Sequence, residues 1–138
     1  MSQNNSSQDD TYFDLHVTGL GYFNRVREVP VKRGSNFFAV DISALHGNSN
    51  DVQYTRFDCR VSGKEAEAIL TQIKPMIDND KNKVLVGFKL GDLYPDIFVY
   101  KKGKKEGQTG VSLKARLLRI EWVKVNGKMI EIDLPKTA

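Results

Sequence analysis

The sequence is short of the residues that build covalent or metal-held scaffolds, with one cysteine, two histidines and one tryptophan in 138 residues. Cys59 alone closes no internal disulfide, and its place on the apolar row of a β-type stretch marks it as a small buried hydrophobe of a reducing compartment. His16 and His46 are isolated, and no His/Cys/Asp group has metal-ligand spacing. Long apolar runs are missing too, and the first ten residues, MSQNNSSQDD, have neither a basic n-region nor an apolar h-region. The chain is therefore expected to be cytoplasmic, without membrane contact. GKE at 63–65 is not the GK[ST] of a phosphate loop, and Gly19 and Gly21 lack the third glycine and the following helix of a dinucleotide fingerprint. No catalytic constellation, cofactor or metal is expected.

What is present suits one domain with a core of its own. The formal net charge is +4, and the leader holds two acids, Asp9 and Asp10, and no base, so residues 11–138 carry 21 bases against 17 − 2 = 15 acids, or +6. That balance permits a polyanionic partner without demanding one. Residues 1–10 read as a flexible polar tail, 11–134 as a single domain and 135–138 as a short tail.

Hydrophobic spacing predicts one long strand from Tyr12 to Val31 with a bend or bulge at Gly19 and Gly21, then a polar turn at 32–36. A second strand follows from Phe37 to Leu45, a loop at 46–51, and a third strand from about Val52 to Val61. Ser62 and Glu65 form an S-x-x-E capping box, and Ala66, Ile69, Leu70 and Ile73 continue at helical spacing until Pro75, which should end or kink the helix. Lys83–Leu90 reads as a strand, 91–96 as a turn, and Asp96–Lys102 as its hairpin return before a basic loop. A long strand from about Val111 to Val125 then meets Asn126-Gly127, a type I′ hairpin signal. Three meandering strands, one helix and two more strands is the chain order of the five-stranded oligonucleotide/oligosaccharide-binding (OB) barrel. The expected class is all-β with one helix, with an extended hairpin between the fourth and fifth strands and another at the C-terminus. Pleckstrin-like and SH3-like barrels are the rivals, but neither places a lone helix in mid-chain.

The stretch YTRFDCR at 54–60 carries the functional signal. On a strand, Tyr54, Arg56, Asp58 and Arg60 share one face and Thr55, Phe57 and Cys59 the other. A ring in line with two arginines on a wet face fits single-stranded nucleic acid, whose bases stack on aromatics while cations follow the phosphates. The plainer alternative is a cross-strand tyrosine among surface ion pairs. Lys32 and Arg33 in the first turn can reach phosphate, and Phe37 is a further stacking candidate. The projecting hairpin adds Tyr94, Phe98 and Tyr100, with Lys101, Lys102, Lys104 and Lys105 as the densest basic cluster. Trp122, in phase with Leu118 and Ile120, is expected in the core or at a subunit interface. Asp41 and Asp58 face outward on adjacent strands, where arginine partners explain them more simply than a divalent cation does.

The stretches GYFNRVREV, FFAVDISAL, YTRFDCRVSGKEAEAI, VLVGFKLGD and ARLLRIEWV resemble, in order and spacing, the strands and helix of bacterial single-stranded-DNA-binding proteins. The blocks TGLGYFNRVREV, DCRVSG, KLGDL and GQTGVSLKARLLRI are similar to an uncharacterised family carried by integrating conjugative elements and labelled replication-associated, over roughly residues 11–127. The resemblance implies binding of single-stranded DNA, or RNA, in replication, maintenance or transfer of a mobile element. It also implies self-association into a homo-oligomer and contacts with replication or conjugation proteins. The acidic recruiting tail usual in bacterial single-stranded-DNA-binding proteins is missing from the C-terminal EIDLPKTA. The second reading is an OB-fold protein–protein interaction module of such a complex.

Overall fold

Alternating apolar residues in five stretches produce five long strands around one helix. The computed structural model describes Thr11 and residues 13–132; the tails expected at 1–10 and 135–138 lie outside that range. Along the chain come β1 (Val17–Val29), β2 (Phe37–Asn48), β3 (Asp51–Val61), α1 (Lys64–Asp78), β4 (Val84–Val99), β5 (Thr109–Val125) and a short β6 (Lys128–Met129). Pairing is antiparallel in the order β3-β2-β1-β4-β5-β6, and a parallel β3–β5 ladder joins the two ends, so β1 to β5 form a ring. The class is thus mostly antiparallel β with one helix, as expected.

The inward rows are Phe23 and Val26 of β1, Val40, Ile42 and Ala44 of β2, Phe57, Cys59 and Val61 of β3, Val84, Val86, Phe88 and Leu90 of β4, and Ala115, Leu117, Ile120 and Val123 of β5. Ala66, Ile69, Leu70 and Ile73, one stripe of α1, pack against this core as their spacing predicts. Each large side chain buried here contributes about 1.5–3 kcal/mol. Among the described residues, no helix is long and apolar enough to cross a membrane.

Several local expectations need correction. The irregularity of β1 lies not at Gly19 and Gly21 but between Asn24 and Arg27, where Arg25 takes φ 52. Gly21 serves a close approach instead, since a Cβ there would stand 2.6 Å from the Ser43 carbonyl oxygen. The strand also starts at Val17 rather than near Tyr12. The capping box does not form, because the Ser62 N–H is drawn to the Leu117 carbonyl (3.0 Å) and Gly63 becomes the N-cap. Of the two outcomes expected at Pro75, an end of the helix is excluded: α1 continues through it to Asp78, and Met76 and Ile77 still pack on the core.

The last of them, at 91–96, shapes the candidate site. No turn interrupts 91–96; β4 runs on to Val99, bent by a bulge between Gly91 and Tyr94 with Asp92 at φ 54. Beyond Leu90, which faces Val17 at the start of β1, no described strand flanks β4 on that side. Pro95 therefore sits on an edge, where its missing N–H is tolerated. The projecting arm is the distal half of β4 paired with the start of β5, and the basic loop at 100–108 is its tip. The Asn126-Gly127 turn forms as expected, with φ 52 and 85.

Candidate functional site

The outward row of β3 is as the alternation predicts: Phe57, Cys59 and Val61 are buried, whereas Tyr54, Arg56 and Arg60 are exposed and Asp58 is partly covered. Two depressions flank this row. The first, of about 580 Å³, is lined by Phe37, Arg60, Tyr94 and Arg116 among others, and the second, of about 660 Å³, by Arg25, Tyr54, Arg56, Phe98 and Tyr100. Arg27, Asp58 and Lys114 line both, so the two adjoin across these ion-paired side chains as two lobes of one surface groove.

Side-chain register explains how the charges are held. Asp41 of β2 and Asp58 of β3 are direct cross-strand partners, a like-charge arrangement that repels unless cations intervene. Arg27 reaches both, donating from Nη1 to Asp41 Oδ1 (3.2 Å) and from Nη2 to Asp58 Oδ1 (2.9 Å). Arg25 and Arg56 close on Asp41 Oδ2 at 3.1 and 2.5 Å, and Lys114 Nζ donates to Asp58 Oδ2 at 2.6 Å. Burial pushes the Asp58 carboxyl up, but the Lys114 hydrogen bond and the charges of Lys114 and Arg27 outweigh it and hold it below its ordinary value. The Lys114 ammonium is raised in return, chiefly by the same hydrogen bond.

Arg60 and Arg116 are likewise neighbours, across the parallel β3–β5 ladder. They part ways: the Arg60 guanidinium lies 4.1 Å from the centre of the Phe37 ring, and Arg116 Nε pairs with Asp92 at 3.2 Å. On the arm, Phe98 and Tyr100 meet edge to face at 4.9 Å, directly over Gly110, where a Cβ would fall 2.6 Å from the Phe98 ring. Tyr54 leans towards Tyr22, with ring centres 6.5 Å apart.

Of the candidates read from the sequence, Phe37, Arg60 and Tyr94 meet in the first lobe and Tyr54, Arg56, Phe98 and Tyr100 in the second. Lys32, Arg33, Lys101, Lys102, Lys104 and Lys105 lie on the β1–β2 turn and the arm tip and line neither lobe. Lys105 lies 5.5 Å from the Tyr100 ring centre. Trp122 lies outside the groove, its indole close against Gly87, where a Cβ would collide with the ring. Sequence reasoning missed Arg25, Arg27, Lys114 and Arg116. The signal for the first two was available: Phe23 and Val26, both buried, stand three residues apart, which a strict strand does not allow.

A family model described as a protein of unknown function, DUF3577, matches residues 6–137, nearly the whole chain. The chain belongs to the DUF3577 family. No curated protein and no solved structure matches it. Among the described residues of this DUF3577 chain, the two positive-φ residues outside a hairpin turn that carry side chains, Arg25 and Asp92, both sit at bulges and both line the groove. Strained backbone of this kind persists where surrounding contacts over-determine it, often at binding sites.

Proposed function

We propose that the chain is an OB-fold protein that binds single-stranded nucleic acid, DNA in the first instance, along the two-lobed groove. The ring order β1-β2-β3-β5-β4 with a helix between β3 and β4 supports the fold assignment. The observation that carries the function is the interleaving of rings with cations along two adjoining lobes: Phe37 and Arg60, Tyr94 and Arg116, Tyr54 and Arg56. Rings accept bases of any sequence, and cations track the backbone. The lining bases, Arg25, Arg27, Arg56, Arg60, Lys114 and Arg116, outnumber the acids Asp41, Asp58, Asp92 and Asp96, which leaves the groove positive. A role in replication, maintenance or transfer of a mobile element is the setting that the sequence resemblance supports.

A second reading, a protein-interaction module, draws on the arm, where Ile97, Val99 and Val111 are 68%, 55% and 61% exposed. Fluorescence titration with single- and double-stranded oligonucleotides at two salt concentrations decides. Binding to single strands that falls steeply with salt supports the nucleic-acid reading. Absence of single-strand binding at low salt hands the groove and arm to a protein partner.

A further inference from the structure

Among the described residues Asp41 is the one charged residue that is buried, at 3% exposure, and it is over-supplied with partners. Neutralising one carboxylate takes one cation, yet Arg25, Arg27 and Arg56 all close on it. Arg27 is shared with Asp58, but Arg25 and Arg56 have no acid besides Asp41 among the ion pairs of the described residues. Arg25 arrives only because the β1 bulge sets its backbone at φ 52, a region that disfavours any side chain with a Cβ. Arg27 Nη1 donates to the Arg25 carbonyl at 2.9 Å and so ties the bulge in place. The result is to aim Arg25 and Arg56, whose side chains remain 62% and 63% exposed.

A guanidinium has five N–H donors, and Asp41 engages one nitrogen of each of these two. Both arginines line the second lobe together with Tyr54, Phe98 and Tyr100, which leaves their remaining donors for a ligand there. We infer that Asp41 is a positioning residue that fixes Arg25 and Arg56 as a two-pronged cradle for one backbone phosphodiester of a single strand, with the flanking bases on those rings. This rests on the single-strand reading of the groove and names the moiety held there. Guanidiniums suit the task because their planar fork matches phosphate oxygens and is held with little further loss of freedom.

The inference reverses a sign. As a bare charge, Asp41 repels phosphate, so its removal should tighten binding; as a positioning residue, its removal should loosen binding. The test is titration of the full chain with a fluorescent oligo-dT at low salt. Asp41→Asn, close to isosteric, is expected to bind roughly tenfold more weakly, about what one charge-assisted hydrogen bond is worth. Asp96→Asn gives the comparison, because it removes a negative charge from the same lobe without unpairing an arginine; it is expected to tighten binding, the sign that a bare charge gives. Arg25→Gly guards against misfolding, since glycine accepts φ 52 at ease; it should keep or raise the melting temperature and still weaken binding. Equal or tighter binding by a folded Asp41→Asn overturns the inference and leaves the single-strand reading intact. If Asp41→Asn does not fold, unchanged affinity of Arg25→Gly overturns it and weakened affinity supports it. A parent that binds no oligo-dT removes both.

Discussion

Tyr54 and Phe57 stand three residues apart on β3 and face opposite ways, Tyr54 57% exposed beside the second lobe and Phe57 7% exposed in the core. Substitution should separate binding from stability. Tyr54→Ala should cost about 1–3 kcal/mol of affinity for single strands with little change in melting temperature, and Tyr54→Phe should cost little, because stacking needs the ring. Phe57→Ala should lower stability by about 3–5 kcal/mol, the penalty typical of truncating a large core side chain. Equal affinities of Tyr54→Ala and the parent would remove Tyr54 from the binding surface. Asp58 makes a pH prediction of its own. Its carboxyl is held below the ordinary 3.8 in the folded chain, so its stabilising contribution is complete above that value and is lost as pH falls from there through the folded pKa. Asp58→Asn should therefore cost about 1–3 kcal/mol at neutral pH by stranding Lys114 and Arg27, and the gap between mutant and parent melting temperatures should narrow below 3.8. A gap independent of pH would mean that the loss is one of shape and not of charge.

Elements were legible wherever the period held. The face of β3, the stripe of α1 and the Asn126-Gly127 turn follow from spacing alone, because burial on one side forces a period of two in strands and 3.6 in helices. The bulges were harder to read: each shifts the phase, the one in β1 left only the three-residue spacing of Phe23 and Val26 as its trace, and neither Arg25 nor Asp92 advertises positive φ as glycine does. The bend at 91–96 is hidden for a related reason, since a Gly-Asp…Pro-Asp run spells a turn locally, yet a strand with one bare edge absorbs it as a bend. This matters for the tip. Placed at the end of an arm whose Phe98 and Tyr100 line the groove, Lys101, Lys102, Lys104 and Lys105 lie outside both lobes, so any contribution they make is long-range attraction or a grip on strand leaving the groove. Replacing all four with Gln should weaken single-strand binding, lower the log-log salt slope by about 0.7 for each phosphate that is no longer neutralised, and leave the melting temperature nearly unchanged. An unaltered slope would make the tip a solubilising loop.

At the scale of the whole molecule, the β3–β5 ladder is the closure on which groove and core both depend. Cys59 reports on it. The residue lies on β3 opposite Val40 of β2 and Ala115 of β5, is 1% exposed, and has its thiol pushed up to about 12, first by burial and then by the Asp58 and Asp41 charges. A thiol in that state does not react; labelling must wait until β3 is released from a neighbour and the side chain reaches water. The same release dismantles the groove, because Arg56, Asp58 and Arg60 come from β3, Lys114 and Arg116 from β5, and Phe37 from β2. A ligand bound only to the closed ring should therefore suppress labelling by the factor 1 + [L]/Kd, about a hundredfold at a concentration roughly one hundred times Kd. At mildly alkaline pH and low salt, a thiol reagent in the fast-reclosing regime should modify Cys59 slowly in the free protein and about a hundredfold more slowly with oligo-dT at that concentration. Duplex DNA at equal phosphate concentration should give much less protection. If oligo-dT binds by fluorescence and labelling is unslowed, the strand lies on a surface that survives opening of the β3–β5 ladder, which would move the binding site from the groove to the arm.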